Sequence, residues 1–316
     1  MIEAIHTPVL LEEALKILAP RKDGELMVDA NLGEGGHSNS FLAHYPTLKI
    51  IGIDADKNIM EIAKTRLAHY GERMQFYSGW SHDFFTEYLS GVKRPDIILF
   101  DLGVSLYHYE KAGRGFSFRY DEKLDMRIDT TKGIGADELI KRIPENELAD
   151  LLYNNAGERY SRRIAKAIKE AMKTGIIESS IFLAEIVESA VPASYRHSPI
   201  HPATKTFQAL RIAVNGELSS LEDLLEKAFN ILEPGGRMGV ISFHSLEDRI
   251  IKNFFRDKNK DCICPPEAPI CKCRGQRILS ILTGKGISPG EEELRRNPSS
   301  RSARFRAAEK ILDEAV

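Results

Sequence analysis

Three glycines near the amino terminus have the spacing of a loop that holds a nucleotide-like ligand. Gly33, Gly35 and Gly36 in "DANLGEGGHS" follow the apolar run "ELMV" and precede "FLAHY". A strand is expected to turn into a helix there, which is where open α/β sheets bind nucleotides. Asp54 in "GIDAD" comes about twenty residues later, at the position from which a carboxylate accepts hydrogen bonds from ribose hydroxyls.

The residues around these glycines do not fit a phosphate-binding loop. A dinucleotide fingerprint needs a third glycine for close helix packing, whereas His37 and Ser38 follow Gly36. A P-loop needs Gly-Lys followed by Ser or Thr, and no such sequence follows the strand. The sequence therefore favours an adenosine ligand without a phosphate, for which S-adenosylmethionine fits better than NAD. The alternative is a glycine turn that only links a strand to a helix.

Three more candidate side chains follow predicted strands. Trp80 could stack on an adenine ring or belong to the core. Asp101 in "LFDLGVS" could contact the cofactor or accept a hydrogen from a substrate amine, or it could cap the next turn. His244 ends the fifth strand and is a candidate catalytic or substrate-binding residue. Ser245 and Asp248 after it predict a capping box that begins a helix.

The absence of one residue pair narrows the reaction class. Methylation of cytosine at carbon five needs a cysteine nucleophile, commonly in a Pro-Cys pair, and no proline here precedes a cysteine. Methylation of an exocyclic amine needs only alignment of the nitrogen lone pair and an acceptor for its hydrogen. The Asp-Pro-Pro-Tyr sequence of many amine methyltransferases is absent, because this chain reads "DLGV".

Alternating strands and helices must position these residues. We predict a helix in "HTPVLLEEALKIL", with Thr7 as N-cap and Pro8 at its first position. Five runs, apolar almost throughout, predict strands covered on both faces of a parallel sheet: "ELMVDA", "LKIIGIDAD", "MQFYSG", "PDIILFDLG" and "GRMGVISFH". The fold class is therefore α/β, with a doubly wound sheet.

The fourth and fifth predicted strands are separated by a long stretch with helical patterns only. We interpret residues 106–213 as an all-helical domain inserted into a domain formed by residues 1–105 and 214–316. The chain of 316 residues has a net charge of -2, so any nucleic-acid surface must be a local patch. The first residues do not have the pattern of a signal peptide or a membrane span, and we expect a cytoplasmic protein with no membrane partner.

An ordered set of motifs resembles one family along nearly the whole chain. The motifs are "HTPVLLEEAL", "GEGGHS", "IILFDLGVS", "RGFSFRYDEKLDMRID", "HPATKTFQALRIAVNGEL", "LEPGGRMGVISFHSLEDRIIK" and "NPSSRSARFR". They resemble the MraW (RsmH) family, S-adenosylmethionine-dependent methyltransferases with a class I (Rossmann-like) fold that modify the N4 amine of a decoding-centre cytidine in 16S rRNA of the small ribosomal subunit. The resemblance implies cofactor contacts at Gly35, Gly36, His37, Asp54, Trp80, Asp101 and His108.

This chain departs from the family pattern at and beside these contacts. Trp80 stands where relatives usually have phenylalanine. Leu106, Tyr107 and His108 replace residues of the family's Ser-Pro-Gln sequence, and Asn31 stands where the family has a threonine. A histidine donates or accepts hydrogen bonds as glutamine does, so we expect cofactor binding to be kept. A paralogue that methylates another RNA cytidine or amine stays open as an alternative.

Basic and aromatic residues in the inserted segment are candidate RNA contacts. Phenyl rings can stack on an extruded base while arginines hold phosphates, although the same rings could be core residues. The candidates for substrate binding are Arg114, Phe116, Phe118, Arg119, Lys205, Gln208 and Arg211. The arginines of "RRNPSSRSARFR" near the carboxyl end are further candidates for contacts to the RNA backbone: Arg295, Arg296, Arg301, Arg304 and Arg306.

The four cysteines lie close together in "CICPPEAPICKC". Cys262, Cys264, Cys271 and Cys273 could hold one structural zinc ion or remain free thiols, and methyl transfer itself needs no metal. Two other function classes stay open from the residues alone. They are a dinucleotide-dependent oxidoreductase and a non-catalytic RNA-binding module.

Overall fold

The computed structural model describes residues 7–88, 93–261 and 277–313. The chain divides into two compact units. The first, here called the sheet unit, comprises residues 1–103 and 220–316, and the second, the helical unit, comprises residues 104–219. The helical unit extends past the predicted boundary at residue 213, because its last helix continues to Asn215 and Arg211 forms an ion pair with Glu217.

The sheet unit contains one seven-stranded sheet. Its strands are β1 (Leu26–Asp29), β2 (Lys49–Asp54), β3 (Met74–Ser78), β4 (Ile97–Asp101), β5 (Arg237–Ser242), β6 (Leu279–Ile281) and β7 (Arg304–Lys310). They lie in the order β3-β2-β1-β4-β5-β7-β6. The first five strands are parallel, while β7 is antiparallel to both β5 and β6. The predicted doubly wound sheet is confirmed, with the strand order reversing between β1 and β4, where such sheets bind ligands.

The helices are given in chain order, and α5 to α11 belong to the helical unit. They are α1 (Leu11–Ile17), α2 (Gly36–His44), α3 (Lys57–Leu67), α4 (Ser81–Glu87), α5 (Leu106–Glu110), α6 (Ala136–Arg142), α7 (Glu145–Ala156), α8 (Ser161–Thr174), α9 (Ser180–Ala190), α10 (Ala193–Arg196), α11 (Ala203–Asn215), α12 (Leu221–Ile231), α13 (Ser245–Lys258) and α14 (Glu291–Arg296). Short 3-10 helices cover Ala68–Arg73 and Pro298–Ser302. Across the described ranges, none of these helices has the length and apolar character needed to cross a membrane.

The sheet has a hydrophobic core on each face because alternate residues of a strand point in opposite directions. Met27 and Leu99 belong to one core, and Val28 and Ile98 belong to the other. The helical unit has its own core, to which α7, α8, α9 and α11 each contribute fully buried side chains. This unit contains an isolated bridge between Lys123 and Ser179, and no strand was found among its residues, all of which are described.

Two predicted helix starts are wrong. The first helix begins at Leu11, not after Thr7, because buried Leu10 adopts a left-handed conformation (φ 52°) and donates its N–H to Glu293 Oε1 at 2.8 Å. The capping box of α13 lies one residue earlier than predicted. His244 is the N-cap and Glu247 is its partner, in place of Ser245 and Asp248.

Candidate functional site

The glycine loop connects β1 to α2 at the carboxyl edge of the sheet, as predicted. Gly35 is the N-cap of α2 and has a φ of 78°, a left-handed conformation that favours glycine. A Cβ atom on Gly35 would lie 2.7 Å from Leu67 Cδ1, and one on Gly36 would lie 2.7 Å from Pro8 Cγ. The loop therefore packs too closely on its neighbours to accept side chains at either position.

Asp54 at the end of β2 holds this loop in place. Its Oδ2 accepts a hydrogen bond from the Gly33 N–H at 2.9 Å, and its Oδ1 accepts one from the Asp56 N–H at 2.9 Å. A carboxylate has about four acceptor sites, so Asp54 can serve several partners at once. Asp54 is partly exposed. The predicted ribose-binding residue is thus also the residue that orders the glycine loop.

A cluster of acidic and imidazole groups lies where β1, α2 and β4 meet. His37 Nε2 is 3.5 Å from Asp101 Oδ2. Asp29, the last residue of β1, accepts a hydrogen bond from the Ser38 hydroxyl at 2.7 Å. Burial raises the pKa of Asp29 to about 6, although the Ser38 hydrogen bond and the nearby His37 oppose this rise. The structure brings together His37 and Asp101, both of them predicted site residues.

Asp29 is a residue of this cluster that the sequence analysis missed. It is 2% exposed and is the first residue of the stretch "DANLGEGGHS". A carboxylate at the end of an otherwise apolar strand was the available signal, since a buried acid needs a specific partner. Its neighbour Asp101 is less engaged: its Oδ1 accepts only a long hydrogen bond, 3.3 Å, from the Gly103 N–H, and its side chain is 23% exposed.

Two side chains in and beside the loop have buried polar atoms that form no hydrogen bond with any described residue. They are both ring nitrogens of His37 and the Oδ1 atom of Asn31. A buried polar group without a partner costs about 1–3 kcal/mol, so such groups usually serve a ligand or ordered water. These unsatisfied atoms fit a polar ligand that lies against the loop.

Trp80 lies at the start of α4, directly after β3. It is the N-cap residue of that helix and is half-buried, so its indole is not a fully buried core side chain. The partly exposed ring is compatible with stacking on an adenine, and this role stays a prediction. The hydroxyl of the next residue, Ser81, donates to the Ala30 carbonyl and so ties α4 to the end of β1.

His244 has a structural role that the sequence analysis assigned to its neighbour. Its Nδ1 accepts the Glu247 N–H at 3.4 Å, while Glu247 Oε2 accepts the Phe243 N–H at 2.8 Å. The Nδ1 atom is an acceptor here, so the neutral ring carries its hydrogen on Nε2. The predicted catalytic role of His244 would have to be compatible with this cap.

Several predicted site residues of the helical unit already have protein partners. His108, predicted as a cofactor contact, is buried, and its ring centroid lies 5.1 Å from that of Phe116, a predicted RNA contact that is also buried. Arg114 donates to the carbonyls of Arg127 and Ile128, both at 2.8 Å. These contacts favour a structural role for Phe116 and Arg114.

The remaining candidates in this unit differ in how accessible they are. Phe118 stacks on His201 with ring centroids 4.5 Å apart. Lys205 donates to the Gly157 carbonyl at 3.1 Å. Arg211 forms a two-point ion pair with Glu217, with both N–O distances 2.9 Å. Arg119 is exposed and Gln208 is half-buried.

The arginine-rich tail forms part of the fold. Arg306 in β7 is 6% exposed and its guanidinium binds both carboxylate oxygens of Asp248, at 2.7 and 3.1 Å. This buried ion pair occupies the side chain that was predicted to contact RNA. Arg295 and Arg296 form ion pairs with acidic residues one helical turn earlier in α14, whereas Arg301 is exposed. The cysteines predicted as a possible zinc site lie outside the described residues.

The strand order, the glycine loop after β1 and the acidic residues that end β2 and β4 define a class I methyltransferase fold. The family model described as "MraW methylase family" matches residues 3–311. The chain belongs to this family. The oxidoreductase and the non-catalytic RNA-binding alternatives are therefore wrong.

Curated relatives agree with this assignment over nearly their whole length. A protein of Treponema denticola is 51% identical over 310 residues, which cover 98% of each chain. A protein of Syntrophotalea carbinolica is 44% identical over 97% of this chain and 98% of its own. A protein of Geobacter sulfurreducens is 45% identical over 97% of this chain and 99% of its own. Each relative is named "Ribosomal RNA small subunit methyltransferase H".

Proposed function

We propose that this protein transfers a methyl group from S-adenosylmethionine to the N4 amine of a decoding-centre cytidine in 16S rRNA of the small ribosomal subunit. One observation supports this chemistry most directly. The Asp101 carboxylate, at the carboxyl end of β4, accepts one long hydrogen bond and lies 3.5 Å from the buried imidazole of His37, whose ring nitrogens make no hydrogen bond to the described residues. A partly exposed carboxylate at this edge is suited to bind an amine substrate.

The loop residues fit S-adenosylmethionine. Gly35 and Gly36 would keep the loop packed against Leu67 and Pro8. Asp54 would accept the ribose hydroxyls, and Asn31 and His37 would bond polar groups through their unsatisfied atoms. Trp80 would provide an aromatic face for the adenine. When bound, S-adenosylmethionine supplies an electrophilic methyl group on a sulfonium sulfur.

Asp101 would position the substrate amine and take its proton. The N4 nitrogen forms a bond to the methyl carbon, the bond from that carbon to sulfur breaks with its electron pair going to sulfur, and one N–H proton leaves. A carboxylate oxygen that accepts this hydrogen aligns the nitrogen lone pair and receives the proton. No covalent enzyme intermediate is needed, in agreement with the absence of a Pro-Cys pair.

An rRNA substrate implies a cytoplasmic location. The helical unit would contribute to binding of this RNA. Of the predicted substrate contacts in the helical unit, Arg119 and Gln208 have side chains without a hydrogen bond or ion pair to any described residue, so they are the first candidates for direct contacts to the nucleotide.

An Asp101→Asn variant tests the proposed chemistry. Asparagine keeps the size and an acceptor oxygen but lowers the capacity to take a proton, so we expect turnover on small ribosomal subunits to fall about 100-fold. The affinity for S-adenosylmethionine, measured by calorimetry, should fall by less than about tenfold because only one of several contacts changes. The matched control is Asp23→Asn, an exposed acid whose contact is the Thr47 hydroxyl. Full turnover in Asp101→Asn would refute the role.

A further inference from the structure

Helix α8 presents its charged side chains on one face, opposite the core. Its sequence "SRRIAKAIKEAMKT" contains five basic residues and one acidic residue. Ile164, Ala165 and Ile168 are fully buried in the helical unit. At 100° per residue, the charged residues fall within about one third of the helix circumference on the other side. These are Arg162, Arg163, Lys166, Lys169, Glu170 and Lys173. The five basic residues are here called the α8 basic face.

Three of these cations have a hydrogen bond or a close ion pair within the protein. Arg162 is paired with Asp150 at 2.9 Å, Lys173 is paired with Glu170 at 2.8 Å, and the Lys169 amine donates to a main-chain carbonyl of α6. Arg163 and Lys166 are exposed. Within the described ranges, no ion pair shorter than 4 Å or side-chain hydrogen bond is found for either of them.

The fold itself does not require this concentration of positive charge. Lys166 lies one helical turn from Arg162, Arg163 and Lys169, and like charges at such spacing destabilise a helix. Glu170 is the one acidic residue at that spacing from Lys166, and it is already paired with Lys173. The neighbouring helix α7 is acidic, yet only its Asp150 pairs with the α8 basic face. The chain as a whole has a net charge of -2, so the bias is local. A polyanionic partner would relieve this repulsion.

The positive surface continues beyond the amino-terminal end of α8. Arg159 is exposed, and its guanidinium carbon lies 4.9 Å from the ring centroid of Tyr160 and 4.8 Å from that of Tyr195. A cation held against aromatic rings keeps its outward hydrogen-bond donors free for an anion. From Arg163 to Lys173 the helix rises about 15 Å, long enough to contact more than one phosphate.

We propose that the α8 basic face binds the phosphate backbone of the substrate RNA. This inference rests on the proposed function, because it assigns a phosphate-binding surface to the rRNA substrate of that site. The contacts are electrostatic and independent of base sequence, so they position the RNA and do not select the target cytidine.

The salt dependence of RNA binding tests this proposal in the full-length protein. The probe is a fluorescently labelled 16S rRNA fragment that spans the decoding centre, titrated with wild type and with the double variant Arg163→Gln/Lys166→Gln. Each lost phosphate contact lowers the slope of log affinity against log salt by about 0.7 to 0.9. Wild type should therefore lose about tenfold more affinity than the variant between roughly 50 and 200 mM salt.

A matched control removes the same charge elsewhere. Arg256→Gln/Lys260→Gln replaces two exposed cations of the sheet unit that are paired with Asp257 at 3.4 and 2.6 Å, and it should leave the slope unchanged. Unchanged affinity for S-adenosylmethionine would show that both variants are folded. A wild-type slope in Arg163→Gln/Lys166→Gln, or an equal loss in the control, would overturn the proposal.

Two further outcomes separate this inference from its alternatives. If Arg163→Gln/Lys166→Gln binds RNA normally but loses affinity for assembled subunits, the α8 basic face contacts a ribosomal protein and the proposal is wrong. If wild type shows the expected RNA slope but does not methylate rRNA, the proposed function fails while the RNA surface stands. Methylation with no change of slope in the variant refutes the surface alone.

Discussion

Asp29→Asn should change how the stability of the sheet unit depends on pH. The Asp29 carboxyl is buried at the end of β1, and burial raises its pKa to about 6 from the ordinary value of 3.8. The folded state therefore holds this proton over a pH range in which the unfolded chain has already lost it. Below about pH 4 the contribution is fully present, and it is lost as the pH rises to the folded pKa.

The size of the effect follows from the difference of about two pH units. At about 1.4 kcal/mol per unit, ionisation of Asp29 lowers the free energy of unfolding by about 3 kcal/mol between roughly pH 4 and pH 7. Asparagine does not titrate, and its oxygen still accepts the hydrogen bond from Ser38. The stability of Asp29→Asn relative to wild type should therefore improve by about 3 kcal/mol over this range.

Urea unfolding at a series of pH values measures this difference. Comparing the two proteins at each pH cancels the titration of every other group that the substitution leaves unchanged. Asp23→Asn, which removes an exposed carboxylate near the same strand, should show a difference below about 0.5 kcal/mol at every pH. Parallel stability curves for wild type and Asp29→Asn would refute the raised pKa and the burial argument behind it.

Three further substitutions have distinct expected outcomes. Gly35→Ala should lower the free energy of unfolding by about 3 kcal/mol, because the new Cβ atom would sit at a positive φ and only 2.7 Å from Leu67. Gly33→Ala, whose Cβ atom meets no atom within 4 Å, should cost about 1 kcal/mol in the same urea assay. Arg306→Gln should cost about 2–3 kcal/mol, because the partly buried Asp248 would lose its two-point ion pair and keep only Arg304, 4.0 Å away. Arg295→Gln at an exposed ion pair should cost less than about 0.5 kcal/mol, and equal costs would refute the structural role. His244→Asn keeps a side chain that can cap the helix, so it should leave thermal stability unchanged. A fall in turnover would then establish the predicted catalytic role, whereas full turnover would limit His244 to capping.

The sequence predicted the parts of the fold that depend on continuous apolar runs. The strands β1 to β5 were predicted because parallel strands covered on both faces are apolar almost throughout. Strand β7 was missed because "RFRAAEK" carries four charged residues. Two of them are buried and satisfied by distant partners: Arg306 by Asp248, and Lys310 by the carbonyls of Phe229 and Leu232 at 2.8 and 2.9 Å. Such partners are visible only once the chain is folded.

The candidate site, like the fold, was predictable only where it depends on the ends of apolar strands. The glycines and the acids that end β2 and β4 follow from the spacing of strand ends, so Asp54 and Asp101 were found. Asp54 also orders the glycine loop by accepting the Gly33 N–H, and this second role depends on distances across the sheet edge. The same holds for the cluster of Asp29 with His37. Local sequence also left the capping of α13 ambiguous by one residue, because several nearby side chains can accept a hydrogen bond from the first turn.

Methyl transfer from labelled S-adenosylmethionine to small ribosomal subunits that lack the modification tests the proposed function most directly. Mass spectrometry of the digested 16S rRNA identifies the labelled nucleoside. We predict N4-methylcytidine at the decoding centre. Label on another atom or nucleotide, or cofactor binding with no label in the rRNA, would contradict the proposal.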